Sequence, residues 1–354
     1  MATEATPAER IGTGPDAQPA TGSAGRVALH PPYARSWVNV LTGWIDRLPG
    51  PSWIAYLVAS TLGAVGNVVF EAWGTTTREA SALVLALLGA LPVLILWAFH
   101  HLADVADEAF EEFRPALNAS DAQSTRYRYE LTVVPAWIGW VLLVVAAVAP
   151  PVLTAGGDAV GFAFRVATSA VTGALALTLV FQAIRQLWIV ERIHARAVRI
   201  DLFRAPPLFA FSVLTSRTAI FLAVLVILGY LASPSITPIG IAVSCLLLAL
   251  AVGVFVVPLR GMRRRIVTEK HRLQIEVGER IEATIARIHG AVDVGDPEAA
   301  ARMHDALAVL VMERDLIEKL PTLPWRPATA GAVLSVTILP IVLFVIQRFI
   351  SQVL

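Results

Sequence analysis

Two arginines sit where arginine is costly. Arg165 and Arg217 fall inside long apolar stretches, and a charge at membrane depth is a functional hypothesis by default because it needs a partner or water. Hydroxyl and amide side chains accompany both. Thr168, Ser169, Thr172 and Gln182 follow Arg165, while Ser212, Thr215, Ser216 and Thr218 crowd Arg217. No Asp or Glu falls inside any predicted span. That one-sidedness disfavours a proton relay or a cation filter, which use carboxylates, and suits an anion or a small solute. The competing reading is structural: Arg165 snorkels or pairs with Glu71, Glu79 or Asp158, and Arg217 bonds backbone carbonyls or lipid phosphate.

A second group has metal-ligand chemistry. His101, Asp104, Glu108 and Glu111 recur every three or four residues, so a helix would align an imidazole and three carboxylates on one face, where they could hold a divalent cation. The alternative is a solvated acidic face with Phe110 and Phe113 turned inward. His271, His289 and His304 lack ligand spacing. Cys245 is alone, which excludes a disulfide or a multi-thiolate site within one chain. No phosphate-binding loop, nucleophile elbow, zinc-protease motif or dinucleotide fingerprint occurs. The expectation is a protein that is not an enzyme and uses no cofactor.

The elements that must carry these residues follow from composition. Of 354 residues, 56% are hydrophobic and 16% charged, against about 25% charged in soluble domains. Mean hydropathy is +0.67. Apolar segments recur at about 52–70, 81–99, 133–154, 160–183, 208–231, 238–258 and 328–347, each near the roughly 20 residues that cross a bilayer. The fold class expected is all-α, a polytopic transmembrane bundle of about seven spans. Residues 1–35 are rich in Ala, Gly, Thr and Pro with no apolar core, which predicts a disordered tail and no signal peptide.

Charge sets the orientation. Net charge is only +1 with 28 Lys and Arg, yet with the N-terminus inside, nearly all of them fall in inner segments and the outer loops hold only Arg78. The positive-inside rule therefore puts the N-terminus in the cytoplasm and the C-terminus outside. Each predicted entry from the inside carries proline followed by an aromatic: LPGPSW (48–53), VVPAW (133–137), RAPPLF (204–209) and LPTLPWRP (320–327). Proline is tolerated in a first helical turn, and Trp53, Trp137 and Trp325 suit the headgroup level.

Two inner segments are candidates for binding lipid or a partner. Arg192, Arg196 and Arg199 share a face of the helix expected to continue from the fourth span, which suits anionic headgroups. Arg263, Arg264 and Arg265 open the stretch 260–320, where Val277, Ile281, Ile285, Ile288 and Val292 face Met303, Leu307, Leu310, Ile317 and Leu320 across DVGDP (293–297). This pattern predicts a cytoplasmic helical hairpin projecting roughly 35–45 Å. The expected organisation is a tail at 1–35, six spans with inner connecting helices at 36–259, the hairpin at 260–320, and the last span at 321–354.

The stretches DRLPGPSW (46–53), FRPAL (113–117), YELTVVPAW (129–137), RIDLFRAPPLFAFSVLTSRTAI (199–220) and LPTLPWRP (320–327) together resemble a group of uncharacterised prokaryotic multi-spanning membrane proteins. These share a basic helical hairpin before the last span. The resemblance runs from about residue 40 to the end; it implies the span count and carries no activity. Arg far outnumbers Lys, which is similar to proteins of high-GC bacteria. The functional expectation is a homo-oligomeric channel or facilitator in a bacterial inner membrane, with Arg165 and Arg217 near the path and the hairpin in assembly or gating. The alternative is a membrane scaffold or accessory subunit recruiting a cytoplasmic protein partner or anionic lipid. No nucleic-acid partner is expected.

Overall fold

The computed structural model describes residues 31–73, 81–117, 119–153, 159–196, 205–232, 237–320, 322–323 and 327–353. The expected tail at 1–30 and Arg78 lie outside the described residues. Ten α-helices occur among those described: α1 (Trp37–Ile45), α2 (Ser52–Trp73), α3 (Ala82–Phe113), α4 (Asp121–Thr132), α5 (Ala136–Leu153), α6 (Ala159–Arg196), α7 (Ala205–Ala232), α8 (Pro238–Val294), α9 (Pro297–Lys319) and α10 (Pro327–Val353). The fold is all-α. Five helices, α2, α3, α6, α7 and α8, are long and apolar enough to cross a membrane. The other two segments expected to span contain shorter apolar helices, Ala136–Val148 in α5 and Ala330–Val342 in α10.

Local chemistry sets the ends of the elements. Ser36, Ser81, Ser120 and Thr237 each accept a hydrogen bond from a backbone N–H three residues on, the N-cap arrangement that satisfies an orphan donor. Proline opens α8, α9 and α10, where its missing N–H has no helix partner in any case. At the far end of α8, Gly295 takes φ 75°, and its N–H donates to Ala291 and Val292. This left-handed cap suits glycine. It lets the chain turn back into α9, which contacts α8.

Helices α3 and α7 form the centre. Helix α3 touches α1, α2, α4, α6 and α7, while α7 also touches α8 and α10, and α5 lies on α6. A buried apolar cluster continues past the predicted end of the second span. Leu102, Val105, Ala106, Ala109, Phe110 and Phe113 of α3 are buried there with Tyr127 and Leu131 of α4, Val190 and Ile193 of α6, Phe211 and Leu214 of α7, and Met262 and Ile266 of α8. Elsewhere, large apolar side chains point outward, including Leu57, Leu62, Val144, Leu246 and Val345. Such faces suit hydrocarbon rather than water.

One crossing is set by glycine. A Cβ on Gly63 would lie 2.5 Å from the Gly89 carbonyl oxygen, and one on Gly89 would lie 2.2 Å from that of Gly63. Helices α2 and α3 therefore touch backbone to backbone, as small residues allow in membrane bundles.

The chain between α4 and α5 leaves helical geometry and is held by hydrogen bonds. Ser36 N–H donates to Val134 O at 3.0 Å and Ala136 N–H to Ala34 O at 2.9 Å, forming an antiparallel bridge between Arg35 and Pro135. Tyr129 Oη donates to the Tyr33 carbonyl at 2.7 Å, and Tyr33 Oη to the Val133 carbonyl at 3.0 Å. Residues 33–35, expected in the tail, are thus tied to the bundle.

Candidate functional site

The first predicted cluster does line a cavity. Between α2, α3 and α6 a space of about 320 Å³ is lined by Asn67, Glu71, Phe164, Arg165, Thr168, Ser169 and Thr172 among others. It lies at the small end of the range for small-molecule sites. Helix α2 runs past residue 70, so Glu71 stands on it, and its Oε2 lies 3.9 Å from Arg165 Nη1, with the carboxylate side chain 11% exposed. This corrects the expectation of spans without acids, because the apolar helix runs to Ala72 and not to residue 70, and it matches the competing reading in which Arg165 pairs with Glu71.

The remaining polar groups show what the cavity offers. Thr168 Oγ1 donates to Phe164 O at 2.9 Å and Thr172 Oγ1 to Thr168 O at 2.7 Å. Those protons are spent on the helix, which leaves the two oxygens only acceptor capacity. Asn67 Nδ2 donates to Leu85 O at 2.7 Å. At the margin Phe70 stacks on Phe164, ring centroids 3.9 Å apart.

The second predicted cluster does not join this cavity. Ser212, Thr215, Ser216 and Thr218 are all buried and donate to carbonyls of their own helix, at Phe209, Ser212, Val213 and Leu214. None of them, nor Arg217, lines the cavity at Arg165. Arg217 Nη1 instead lies 3.2 Å from His101 Nε2. A guanidinium only donates, so His101 accepts there. Trp97 stacks on the His101 ring, and Phe221 meets both rings edge-on. Arg217 fastens α7 to α3.

The four residues of the metal expectation do not converge: two are engaged by other helices and two are not. His101 is engaged by Arg217 of α7. Asp104 lies 3.8 Å from His100. Glu111 pairs with Arg128 of α4 at 2.9 Å and with Arg114 at 3.7 Å, while Glu108 is exposed. Among the described residues, no three His, Cys, Asp or Glu side chains gather as metal ligands. Arg128 also bonds Asp107, a contact that pushes its guanidinium up from the ordinary value.

Sequence reading missed a hydrogen-bonded chain next to this group. Tyr56 Oη of α2 lies 2.8 Å from Nδ1 of His100 on α3, and His100 Nε2 lies 3.2 Å from Asp46 Oδ1 at the C-cap of α1. Tyr56 and His100 are buried. Three residues separated by 10 and 44 positions carry no local spacing signal.

The basic candidates divide. Arg192 Nη1 lies 3.8 Å from Glu130, which also bonds Arg126 at 2.8 Å, so Arg192 is part of an ion-pair group on α4 and α6. Arg263 and Arg264 are exposed and Arg265 half-buried. The side chain of Arg196, and Arg199 altogether, lie outside the described residues. The next face of α6 clamps the α4–α5 junction: Gln182 and Gln186 Nε2 donate to Leu131 O at 2.5 and 3.3 Å, and Arg185 Nη1 to Val133 O at 2.6 Å.

No protein-family model, curated protein or solved structure matches this chain.

Proposed function

We propose that the chain is a homo-oligomeric facilitator of a bacterial inner membrane that passes a small polar or anionic solute by way of the Arg165 cavity. The observation that carries this reading is the cavity: Glu71, Arg165, Thr168, Ser169 and Thr172 surround a solute-sized space within helices otherwise apolar enough to cross a bilayer. Polar groups in that setting are costly unless they serve a path or a site. In this reading α5 and α10 also span, giving seven crossings. The N-terminus is cytoplasmic and the C-terminus outside, as the loop charges favour. Helices α8 and α9 beyond the membrane form the cytoplasmic hairpin. The path candidates narrow to the Arg165 group, because neither Arg217 nor the buried hydroxyls around it line the cavity.

The test is chloride and glycerol flux into liposomes carrying the full-length protein. Flux of either above empty liposomes, falling at least tenfold in Arg165→Gln, supports the proposal. Absence of both fluxes, or flux unchanged by Arg165→Gln, overturns it.

A second reading is favoured by a different observation. Val309, Val311, Met312 and Leu316 of α9 are exposed, more apolar surface than a water-facing arm needs, which suits a scaffold that recruits a cytoplasmic partner. Mass measurement of the full-length protein in lipid nanodiscs separates the two. A single copy per disc that releases a stoichiometric soluble protein favours the scaffold; a closed homo-oligomer favours the facilitator.

A further inference from the structure

Helix α1 combines features that water would not tolerate and a transmembrane position would not permit. It is nine residues long, WVNVLTGWI, about 13 Å at 1.5 Å per residue, against a hydrocarbon core of roughly 30 Å. Charged residues bracket it, Arg35 before and Asp46 and Arg47 after. It cannot cross. Yet its outward face is apolar: Val40, Leu41 and Trp44 are exposed, Val40 at 60% and Trp44 at 58%, while Val38 and Thr42 on the opposite side are buried against a bundle in which α1 touches α3 and α5.

Both ends of α1 are fastened. At its start, Trp37 Nε1 donates to Gly139 O of α5 at 3.0 Å, Asn39 Nδ2 to Thr132 O at 3.2 Å, and Val134 N–H to Asn39 Oδ1 at 2.9 Å. The approach to α5 is close: a Cβ on Gly139 would stand 3.0 Å from that of Ser36. At its end, Asp46 meets His100, which Tyr56 holds from the other side. The helix is therefore positioned, and its apolar face is left outward by construction.

What covers that face follows from its neighbours. Trp137, Trp140, Val141 and Val144 continue the exposed apolar surface along α5, and Trp53, Ile54 and Leu57 begin it on α2. Helix α2 is long and apolar enough to cross a membrane and Ala136–Val148 of α5 is a shorter apolar helix, and exposed tryptophan is favoured at the boundary between headgroups and acyl chains. We propose that α1 is an in-plane membrane anchor. It lies along the surface of the leaflet into which the N-terminal end of α2 enters, with Val40, Leu41 and Trp44 in the acyl boundary and its charged flanks in the headgroups. The occupant of the exposed face is lipid. This assignment is independent of whether a solute passes the bundle.

The test places a nitroxide on that face in the full-length protein reconstituted into phosphatidylcholine and phosphatidylglycerol liposomes. The lone cysteine, Cys245, is exposed, so Cys245→Ala is the background, with Val40→Cys and Trp44→Cys as separate labelled variants in case one fails to fold. Leu57→Cys is the lipid reference and Glu282→Cys on α8 the water reference. Relaxation by molecular oxygen exceeding that by a water-soluble nickel chelate at 40 and 44, as at 57, supports the anchor. Chelate exceeding oxygen, as at 282, overturns it. Protection from both reagents also overturns it, because another protein surface would then cover the face.

Discussion

Gly63 of α2 and Gly89 of α3 meet with no room for a side chain on either: a Cβ on Gly89 would stand 2.2 Å from the Gly63 carbonyl oxygen and 2.7 Å from the Asn67 Cβ. The obstructing oxygen is backbone, so relief requires the two helices to separate. Asn67 and Glu71 lie further along α2 from this crossing, and both line the Arg165 cavity. The glycine contact thus sets the spacing of two cavity walls.

Gly89→Ala should destabilise the protein by about 1–3 kcal/mol, the usual cost of overpacking, despite the roughly 1 kcal/mol that alanine gains in helix propensity. Gly66→Ala, on the same helix as Gly63 but with nothing near its Cβ position, should be neutral or stabilising. Thermal unfolding of both variants in one detergent checks this. Equal melting temperatures would remove the close contact from consideration.

The pair Glu71 and Arg165 should behave as a coupled unit. Their side chains are 11% and 26% exposed, between the limits where an ion pair is worth little and where breaking it is severe. Glu71→Gln or Arg165→Gln alone should each cost about 1–3 kcal/mol by those principles. The double variant should cost clearly less than their sum. Strict additivity in a double-mutant cycle would mean that the two groups do not interact.

Much of the architecture was legible in the sequence, for identifiable reasons. The unbroken run from Ala82 to Phe113 appears as one helix because no glycine or proline pair interrupts its charged second half, and the turn before α9 shows because Gly295 and Pro297 punctuate a helical pattern. Phe110 and Phe113 are buried as their spacing from the acidic face required. The site was harder to read. Glu71 is one of three possible partners of Arg165 in the sequence but falls outside the expected span, because that span stops at the first charge, whereas the apolar helix runs on to Ala72. The hydroxyls around Arg217 look like a polar path in sequence, but a serine or threonine inside a helix can satisfy itself on the preceding turn, and nothing in the residue order distinguishes the two. Tyr56 and His100 meet only because α2 and α3 pack in one register.

Tyr56→Phe should therefore have a local effect. It removes the group facing His100 Nδ1 at a buried position, at a cost of about 1–2 kcal/mol including the unsatisfied ring nitrogen. Hydrogen exchange in α1 and in residues 46–53 should speed up, since His100 also faces Asp46. Exchange that changes only within α2 would show that the chain does not transmit to α1.

Tyr33 gives a pH prediction. Burial pushes its hydroxyl up from its ordinary value, and the hydrogen bond and charge of Arg185 partly offset this. A native pKa above the unfolded value means that the folded state holds the proton more tightly, so the contribution is intact below about pH 10 and is lost as pH rises above it. Arg185→Gln removes the offset and should move the Tyr33 transition further up. Ultraviolet difference titration against a Tyr33→Phe control measures it; a downward movement would contradict the contact.

The two glutamines on α6 should respond unequally to the same substitution. Both donate to the Leu131 carbonyl, Gln182 at 2.5 Å and Gln186 at 3.3 Å. Among the described residues, neither side-chain oxygen has a hydrogen-bond partner. Methionine, of similar shape, deletes the donor and the unmatched oxygen together. For Gln186 the lost bond is long and the lost acceptor was a cost, so Gln186→Met should be neutral or slightly stabilising. For Gln182 the short bond dominates, and Gln182→Met should cost about 1 kcal/mol. Together they leave a carbonyl at the end of α4 without either donor in a buried setting, where an unmatched polar group costs about 1–3 kcal/mol. The double variant should therefore be worse than the sum of the singles. Chemical unfolding of the four proteins in one detergent decides it, and an additive double would mean that the Leu131 carbonyl is satisfied elsewhere.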